Sequence, residues 1–255
     1  MALQFSEISE RLESWFARPR GQYLLERERA LATELLREAF GYHQLQIGVT
    51  ATRFLQVESP LGHDIYSATI PGPDVGLLSA PDCLPLANDS MDAVVLHHAL
   101  EFSDSPHSLL REAHRVLAPQ GHIIILGFNP LSLFGVAARV AGFFPDRLWT
   151  QAHSISTRRL GDWLDLLGAE VQAVHHCFSV PPFGGERLFR FMSRCDDVST
   201  RYKLPVGGVY AIHARKTVST LTPMRIRWRR PVAAPLIGLA VPKPVASPRE
   251  GDVAA

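Results

Sequence analysis

The 255-residue sequence has little cysteine, no long apolar run and almost no net charge. Its three cysteines, Cys83, Cys177 and Cys195, form no C-x-x-C pair, which argues against a disulfide framework and for a reducing compartment. The most apolar stretch, residues 131–144, is shorter than a bilayer-spanning helix. Residues 1–10 contain acids and lack the apolar core of a signal peptide. These absences predict a cytoplasmic protein that does not cross a membrane.

A formal charge of +1 indicates no bias of the whole molecule toward nucleic acid, but the basic residues are concentrated at the C-terminal end. From Arg215 onward, eight Lys or Arg residues face two Asp or Glu residues, prolines recur, and helical or strand periodicity is absent. We therefore predict three regions: a helical segment at 1–40, a folded domain at 41–216, and an unstructured, proline-rich basic tail at 217–255.

Within the tail, residues 225–230 alternate basic and apolar side chains and include Trp228. Such a strip can dock on phosphates while the indole stacks on a base. It can also be a solubilising tail or a strand that adds to a sheet edge. Because a run of charge is usually a solvated surface, nucleic acid is the less favoured partner.

Apolar spacing predicts an alternating α/β chain. Residues 22–40 have helical spacing and are followed by a glycine. Three short strands are predicted at 45–48, 63–70 and 75–80, the last two flanking the Pro-Gly-Pro turn.

A β-α-β unit follows. Residues 91–96 form a nearly all-apolar run, as a strand buried on both faces requires. Ser105 and Pro106 predict the start of a helix that ends at the Pro-Gln-Gly sequence 119–121, and residues 122–127 predict another buried strand. This order predicts a parallel sheet. Beyond it, the pattern predicts a helix over 156–167 that ends at a glycine, then strands over 170–178 and 208–214.

Three motifs in residues 82–121 resemble those of class I S-adenosylmethionine (SAM) methyltransferases, in particular the type 11 methyltransferase domain. The first is Asp-Cys-Leu-Pro-Leu at 82–86, followed by a strand that opens with Asp92. The second is His-Ala-Leu-Glu at 98–101, and the third is Arg-Val-Leu-Ala-Pro-Gln-Gly at 115–121. The resemblance implies a Rossmann-like class I methyltransferase fold, with a seven-stranded, mostly parallel sheet and helices on both faces. It also implies SAM as the cofactor and transfer of a methyl group to an acceptor that the sequence does not identify.

The first family motif, a strand ending in an acid and then G-x-G-x-G, is incomplete. Glycines there allow close approach of the backbone to the cofactor. Here only Gly48 remains, and Gln46 takes the place of the acid. The carboxylate that would grip the ribose falls near Thr69 and Ile70, where no acid occurs. No G-x-G-x-x-G follows any predicted strand, which disfavours a nicotinamide dehydrogenase.

The resemblance implies that Gly48 lies against the cofactor and that Asp82 contacts the adenine amino group, with Cys83 and Leu84 lining the ring. The alternative for Asp82 is an ordinary turn residue before a proline.

His97 and His98 follow the fourth predicted strand, at the edge where an open parallel sheet binds ligands. Since adjacent strand residues point to opposite faces, we expect at most one of them to contact a ligand. The alternative is that both are ordinary polar residues at a strand-to-helix junction. No Cys, Asp or Glu has ligand spacing around them, so no metal site is predicted.

Asn129 leaves the fifth strand at the same edge and is a weak candidate for contacting substrate. The favoured alternative is a turn in which Asn129 caps the helix that begins near residue 131. Residues 136–157, which include Phe143, Phe144 and Trp149, are where we expect a cover over the acceptor.

Two hypotheses remain open. One is an active SAM-dependent methyltransferase with an unusual first loop. In-line transfer from an activated sulfonium needs alignment and exclusion of water, and a base only if the acceptor must lose a proton, so no catalytic residue is assigned. The other is a lapsed methyltransferase fold that serves as a binding or scaffold module and contacts a protein or nucleic acid through its basic tail. Oligomeric state is not predicted.

Overall fold

The computed structural model describes residues 5–132, 135, 152–153, 155–177 and 207–217. The chain divides into two units, Met1–Ser219 and Thr220–Ala255, and the second lies outside the described residues. The predicted tail from 218 onward, the basic strip at 225–230 and most of the predicted acceptor cover at 136–157 therefore also lie outside them.

Four helices and seven strands make up the described part of the chain. The helices are α1 (Phe5–Phe16), α2 (Pro19–Leu36), α3 (Pro106–Val116) and α4 (Thr157–Leu167). The strands are β1 (His43–Ile47), β2 (His63–Ala68), β3 (Leu77–Leu78), β4 (Met91–His97), β5 (Leu117–Phe128), β6 (Ala169–Cys177) and β7 (Val209–Lys216).

The strands form one sheet in the order β3-β2-β1-β4-β5-β7-β6. Every neighbouring pair is parallel except the two that involve β7, which runs antiparallel to β5 and β6. The chain moves outward from β1 to β3 and then crosses back to β4. The sheet therefore has a topological switch point between β1 and β4, where ligands of open α/β sheets bind. The predicted seven-stranded, mostly parallel sheet is confirmed.

Alternating residues of the central strands face two separate layers. In β4, Val94 and Leu96 face the core on which α3 and α4 pack, whereas Ala93 and Val95 face the core that contains residues of α2. A helix on each face explains why the central strands are nearly all apolar.

Helix α1 lies within the predicted helical segment 1–40, although its own bounds were not predicted, and its Ile8, Leu12 and Phe16 recur at intervals of four. These three side chains are buried in a cluster with Phe128 at the end of β5 and Val209 at the start of β7. Helix α1 is therefore placed at the carboxyl end of the sheet. None of the described helices is long and apolar enough to cross a bilayer.

Several predicted boundaries are shifted; the helix predicted at 22–40, for example, is Pro19–Leu36. Helix α3 ends at Val116, before the Pro-Gln-Gly sequence that was expected to end it, and Leu117 is already extended and pairs with Met91. Lys216 of β7 stabilises this junction, because its Nζ donates to the carbonyl oxygens of Leu117 at 2.6 Å and His114 at 3.0 Å. The third strand also has two residues instead of six. The α4 prediction is confirmed: Ser156 caps its start, and Gly168, at φ 79°, ends it.

Candidate functional site

The carboxyl ends of β1, β4 and β5 lie side by side and define the candidate site. Ile47 pairs with Leu96, and Leu96 pairs with Ile125, so the residues that follow these three strands meet at one edge. Gly48, His97 and Asn129, which sequence analysis singled out, are thus brought to the same part of the molecule. Because this edge contains the switch point, it is where the fold positions a ligand.

Glu28 of α2 connects the two histidines at the end of β4. Its Oε2 lies 3.1 Å from His97 Nε2, and its Oε1 lies 2.9 Å from His98 Nε2. The second nitrogen of His98, Nδ1, lies 2.9 Å from Glu101 Oε2, and Glu101 also accepts a hydrogen bond from the Phe128 amide. The exposed fractions of these residues are 0% for Glu28, 3% for His97, 1% for His98 and 2% for Glu101. They form a buried polar network within an apolar surrounding.

Both histidines contact the same carboxylate, contrary to the expectation that they would point to opposite faces. Strand β4 ends at His97, and His98 has φ 52°, in the left-handed region. The alternation of strand side chains stops there, so the two rings turn toward one side, with their centroids 4.8 Å apart. A non-glycine residue in this region carries backbone strain, which clusters at functional sites.

The charge state of the network follows from its geometry. Burial by itself lowers the pKa of His98, but Glu28 and Glu101 on either side raise it to about 10. Burial raises the pKa of Glu28, but the positive His98 and the hydrogen bonds from both histidines lower it to about 2. Burial lowers the pKa of His97 and raises that of Glu101. At neutral pH, His98 is therefore a cation that pairs with Glu28, and His97 is neutral.

Helix α1 covers this network. The Phe16 ring stacks on His97 at a centroid distance of 5.6 Å and contacts Phe54 at 5.4 Å. Trp15 meets Phe128 edge to face at 6.2 Å. The edge above β4 and β5 is therefore filled by aromatic side chains of α1.

The loop that follows β1 is held by side chains from elsewhere in the chain. Three successive backbone amides donate to them: Ala51 to Ser9 Oγ at 3.2 Å, Thr52 to Glu13 Oε1 at 3.1 Å, and Arg53 to Asp74 Oδ2 at 3.1 Å. Ser9 and Glu13 belong to α1. Three donors of the loop corresponding to the incomplete glycine motif are thus satisfied without a ligand.

Gly48 lies against Tyr66 of β2. A Cβ at this position would collide with the Tyr66 hydroxyl, which donates to the Thr50 carbonyl oxygen at 2.7 Å. Burial raises the pKa of Tyr66 to about 12, so the hydroxyl stays protonated. Close packing against Tyr66 therefore explains the requirement for glycine here.

The turn predicted to contact adenine has two exposed residues followed by a buried residue whose backbone is held by hydrogen bonds. Asp82 and Cys83 are exposed, whereas Leu84 is buried. Its amide donates to Glu112 Oε1 at 2.8 Å, and its carbonyl oxygen accepts from Arg115 at 3.1 Å. Arg115 belongs to the third sequence motif, so two of the motifs are joined by contact.

Asn129 is buried, and its side chain contacts backbone on both sides. Its Nδ2 donates to the Gly207 carbonyl oxygen at 3.0 Å, and its Oδ1 accepts from the Leu131 amide at 3.1 Å. These contacts agree with the turn-capping alternative, and they join the end of β5 to the start of β7.

Glu28 and the residues of α1 that cover the edge were not predicted from the sequence. A signal for Glu28 was present, because it lies four residues after Leu24 and four before Ala32, both fully buried. A carboxylate in the apolar stripe of a helix requires a buried partner. The partner cannot be identified from spacing, since His97 is 69 residues away.

Comparisons with known proteins agree with this geometry. Residues 67–125, which run from β2 to β5, match the family described as Methyltransferase domain, type 11. The uncharacterized protein YafS of Escherichia coli (strain K12) is 34% identical over 132 residues, which are 52% of this chain and 54% of that protein. The chain thus spans about half the length of this relative.

Two solved structures share the fold. A SAM-dependent methyltransferase of Thermotoga maritima is 20% identical, with a TM-score of 0.54 over 84% of this chain and 98% of that one. A SAM-dependent methyltransferase of Aquifex aeolicus is 16% identical, with a TM-score of 0.52 over 85% of this chain and all of that one, 100%. At these identities the likeness establishes the fold alone. Together with the strand order, it shows that this chain has the fold of class I methyltransferases.

Proposed function

We propose that the protein transfers a methyl group from SAM to an acceptor at the carboxyl edge of the sheet. The observation that carries this proposal is the switch point between β1 and β4. When bound, SAM supplies an activated methyl group, and the protein has to align the acceptor and exclude water.

The adenosine half of the site fits the residues present. Asp82 offers an exposed carboxylate for the adenine amino group, and Cys83 is exposed beside it. Glu112 and Arg115 hold the backbone of Leu84 from behind, which keeps the turn in place when a ligand docks. The ribose position has Thr69 and Ile70 and no carboxylate, so hydrogen bonding to the ribose is weaker than in a site with an acid.

The methionine half requires a change in α1. Ser9 and Glu13 occupy the amides that follow β1, and Phe16 covers His97. Binding of the whole cofactor therefore competes with the contacts between α1 and this loop. At this end of the site, Phe16 and Trp15 exclude water. His97 is the neutral one of the two histidines and is therefore the one able to accept a proton.

Calorimetric titration with S-adenosylhomocysteine tests the proposal directly. Losing the ribose acid and most of the glycines costs about 1–3 kcal/mol each, about 2–6 kcal/mol together. Relative to a micromolar site, we therefore expect a dissociation constant between about 30 micromolar and about 25 millimolar. Asp82→Ala should weaken binding by about tenfold, the equivalent of one hydrogen bond to a charged group. Asp162→Ala, an exposed aspartate on α4, is the matched control and should bind like the wild type. Equal affinities of the Asp82 variant and the wild type would refute the assignment of the turn at 82–84 as the adenine contact.

A second candidate function is favoured by one observation. Three backbone amides of the loop after β1 already donate to side chains of the protein, namely Ser9, Glu13 and Asp74. On this alternative the domain no longer binds SAM and acts as a binding or scaffold module, with the basic tail as its contact. It predicts no heat of binding with millimolar S-adenosylhomocysteine and loss of a partner after truncation at Lys216. Saturable binding that depends on Asp82 excludes it.

A further inference from the structure

Glu28, His97 and His98 have the composition and spacing of a metal site. One ligand atom from each, a carboxylate oxygen and two imidazole nitrogens, lie within 4.8 Å of one another, and all three residues are buried. Glu28 Oε2 lies 3.1 Å from His97 Nε2, and the other oxygen, Oε1, lies 2.9 Å from His98 Nε2. With bonds of about 2.0–2.1 Å, two ligands of one ion are about 2.9 Å apart at a right angle and about 3.3 Å apart at a tetrahedral angle. Each of the two oxygen–nitrogen separations, taken by itself, lies close to this range.

The surroundings of His98 match those of a metal-bound histidine. Its Nε2 faces Glu28, and its Nδ1 lies 2.9 Å from Glu101 Oε2. Metal-bound histidines usually donate their second ring N–H to a carboxylate, which orients the ring and raises its basicity. Glu101 is in turn fixed by the Phe128 amide. The carboxylate that would orient a metal-bound His98 is therefore already in place.

Charge balance also favours a divalent cation. Glu28 and Glu101 are both almost completely buried, and a buried carboxylate needs a compensating charge. Without a metal ion, the His98 cation supplies one positive charge for the two carboxylates. An ion that binds His98 Nε2 replaces the proton on that nitrogen. A divalent ion bound to two neutral imidazoles compensates both.

The backbone is bent where the two ligands are brought together. Adjacent side chains on an extended strand diverge, and His98 reaches the same carboxylate as His97 because its φ is 52°. The fold retains this strained conformation at the position where it creates a two-histidine, one-carboxylate set.

We propose that Glu28, His97 and His98 bind one divalent transition-metal ion, with Glu101 orienting His98. Imidazole and carboxylate ligands suit Zn²⁺ and Fe²⁺, and Co²⁺ is a spectroscopic substitute. Three protein ligands leave a coordination position for water or for a substrate group. The inference does not depend on SAM binding, because all the ligands come from the chain itself.

The test uses the full-length protein after removal of metals with a chelator. Titration with Co²⁺ should give saturable d–d absorption at one ion per chain, and Zn²⁺ should abolish it by competition. Glu28→Gln and His97→Gln should each weaken binding by more than about 100-fold, and Glu101→Gln by about 10- to 100-fold, the usual effect of a supporting carboxylate.

A double substitution of His122 and His213 by Gln is the matched control. These histidines are also buried, and His122 Nδ1 lies 2.8 Å from His213 Nε2. Among the described residues, however, they do not belong to the group whose spacing suits a metal ion. The control should retain wild-type affinity. Loss of binding in the control together with retention in Glu28→Gln would overturn the proposal.

A measurement on the wild type covers the case in which a variant does not fold. X-ray absorption of the zinc-loaded protein should show two imidazole rings and no sulfur among the ligands. Sulfur ligation would place the ion on a cysteine and overturn the proposal. So would the absence of saturable Co²⁺ or Zn²⁺ binding by folded, metal-free wild type at millimolar ion.

Discussion

Glu28→Gln is expected to destabilise the protein strongly, because it removes the charge that His98 faces in the buried network. Glu28 is fully buried, and its carboxylate lies 2.9 Å from His98 and 3.1 Å from His97. Breaking a buried ion pair by removing one partner costs about 3–5 kcal/mol. Glutamine preserves the shape and one hydrogen bond, so we expect a loss of about 2–4 kcal/mol in the free energy of unfolding.

Urea denaturation followed by circular dichroism measures this loss, with chelator present so that metal binding does not contribute. For a domain of this size the same loss lowers the melting temperature by about 4–16 °C. Glu26→Gln is the matched control, because Glu26 is exposed on the same helix. A change of less than about 0.5 kcal/mol in Glu28→Gln, similar to a surface substitution, would refute the inference that the network is buried and charged.

Two further predictions concern α1 and the sheet. Glu13→Ala frees the Thr52 amide and should tighten S-adenosylhomocysteine binding several-fold. The control Glu7→Ala removes a surface ion pair with Arg11 and should leave the affinity unchanged. Equal affinities of the Glu13 variant and the wild type would show that α1 does not compete with the ligand. Burial and the nearby His122 lower the pKa of His213 to about 4, so the unfolded chain binds the additional proton between about pH 6.5 and 4 and stability falls as the pH drops through that window. We expect a loss of about 1–2 kcal/mol between pH 7 and 5 that is smaller in His213→Gln, measured by urea denaturation, with His43→Gln as control; equal losses in all three proteins would contradict this assignment.

The part of the fold that could be predicted from sequence is the part whose pattern is local. The all-apolar run of β4 and the stripe of α3 have periods that identify a buried strand and an amphipathic helix. The boundary between α3 and β5 was wrong because Lys216, 99 residues beyond Leu117, takes part in it. A contact of this kind leaves no trace in local spacing.

The same distinction applies to the candidate site. Asp82, His97 and His98 were singled out from the sequence, and strand register brings the ends of β4 and β5 together as expected. The sequence did not identify α1 as the cover of this edge. Its apolar spacing predicts which side is buried, but not the surface on which that side packs.

The amino-acid sequence by itself determined the order of the elements, the parallel central strands and the positions of the polar residues that follow them, because these depend on neighbours along the chain. The tertiary structure decided that Glu28 meets both histidines and that Ser9 and Glu13 satisfy the loop after β1. The Glu28 contacts join residues 69 and 70 positions apart, the Ser9 contact joins residues 42 positions apart, and the Glu13 contact joins residues 39 positions apart. They form because burial of apolar side chains packs α1 and α2 against the sheet. Polar groups buried in the same step need hydrogen-bond partners, and these partners lie on the neighbouring elements.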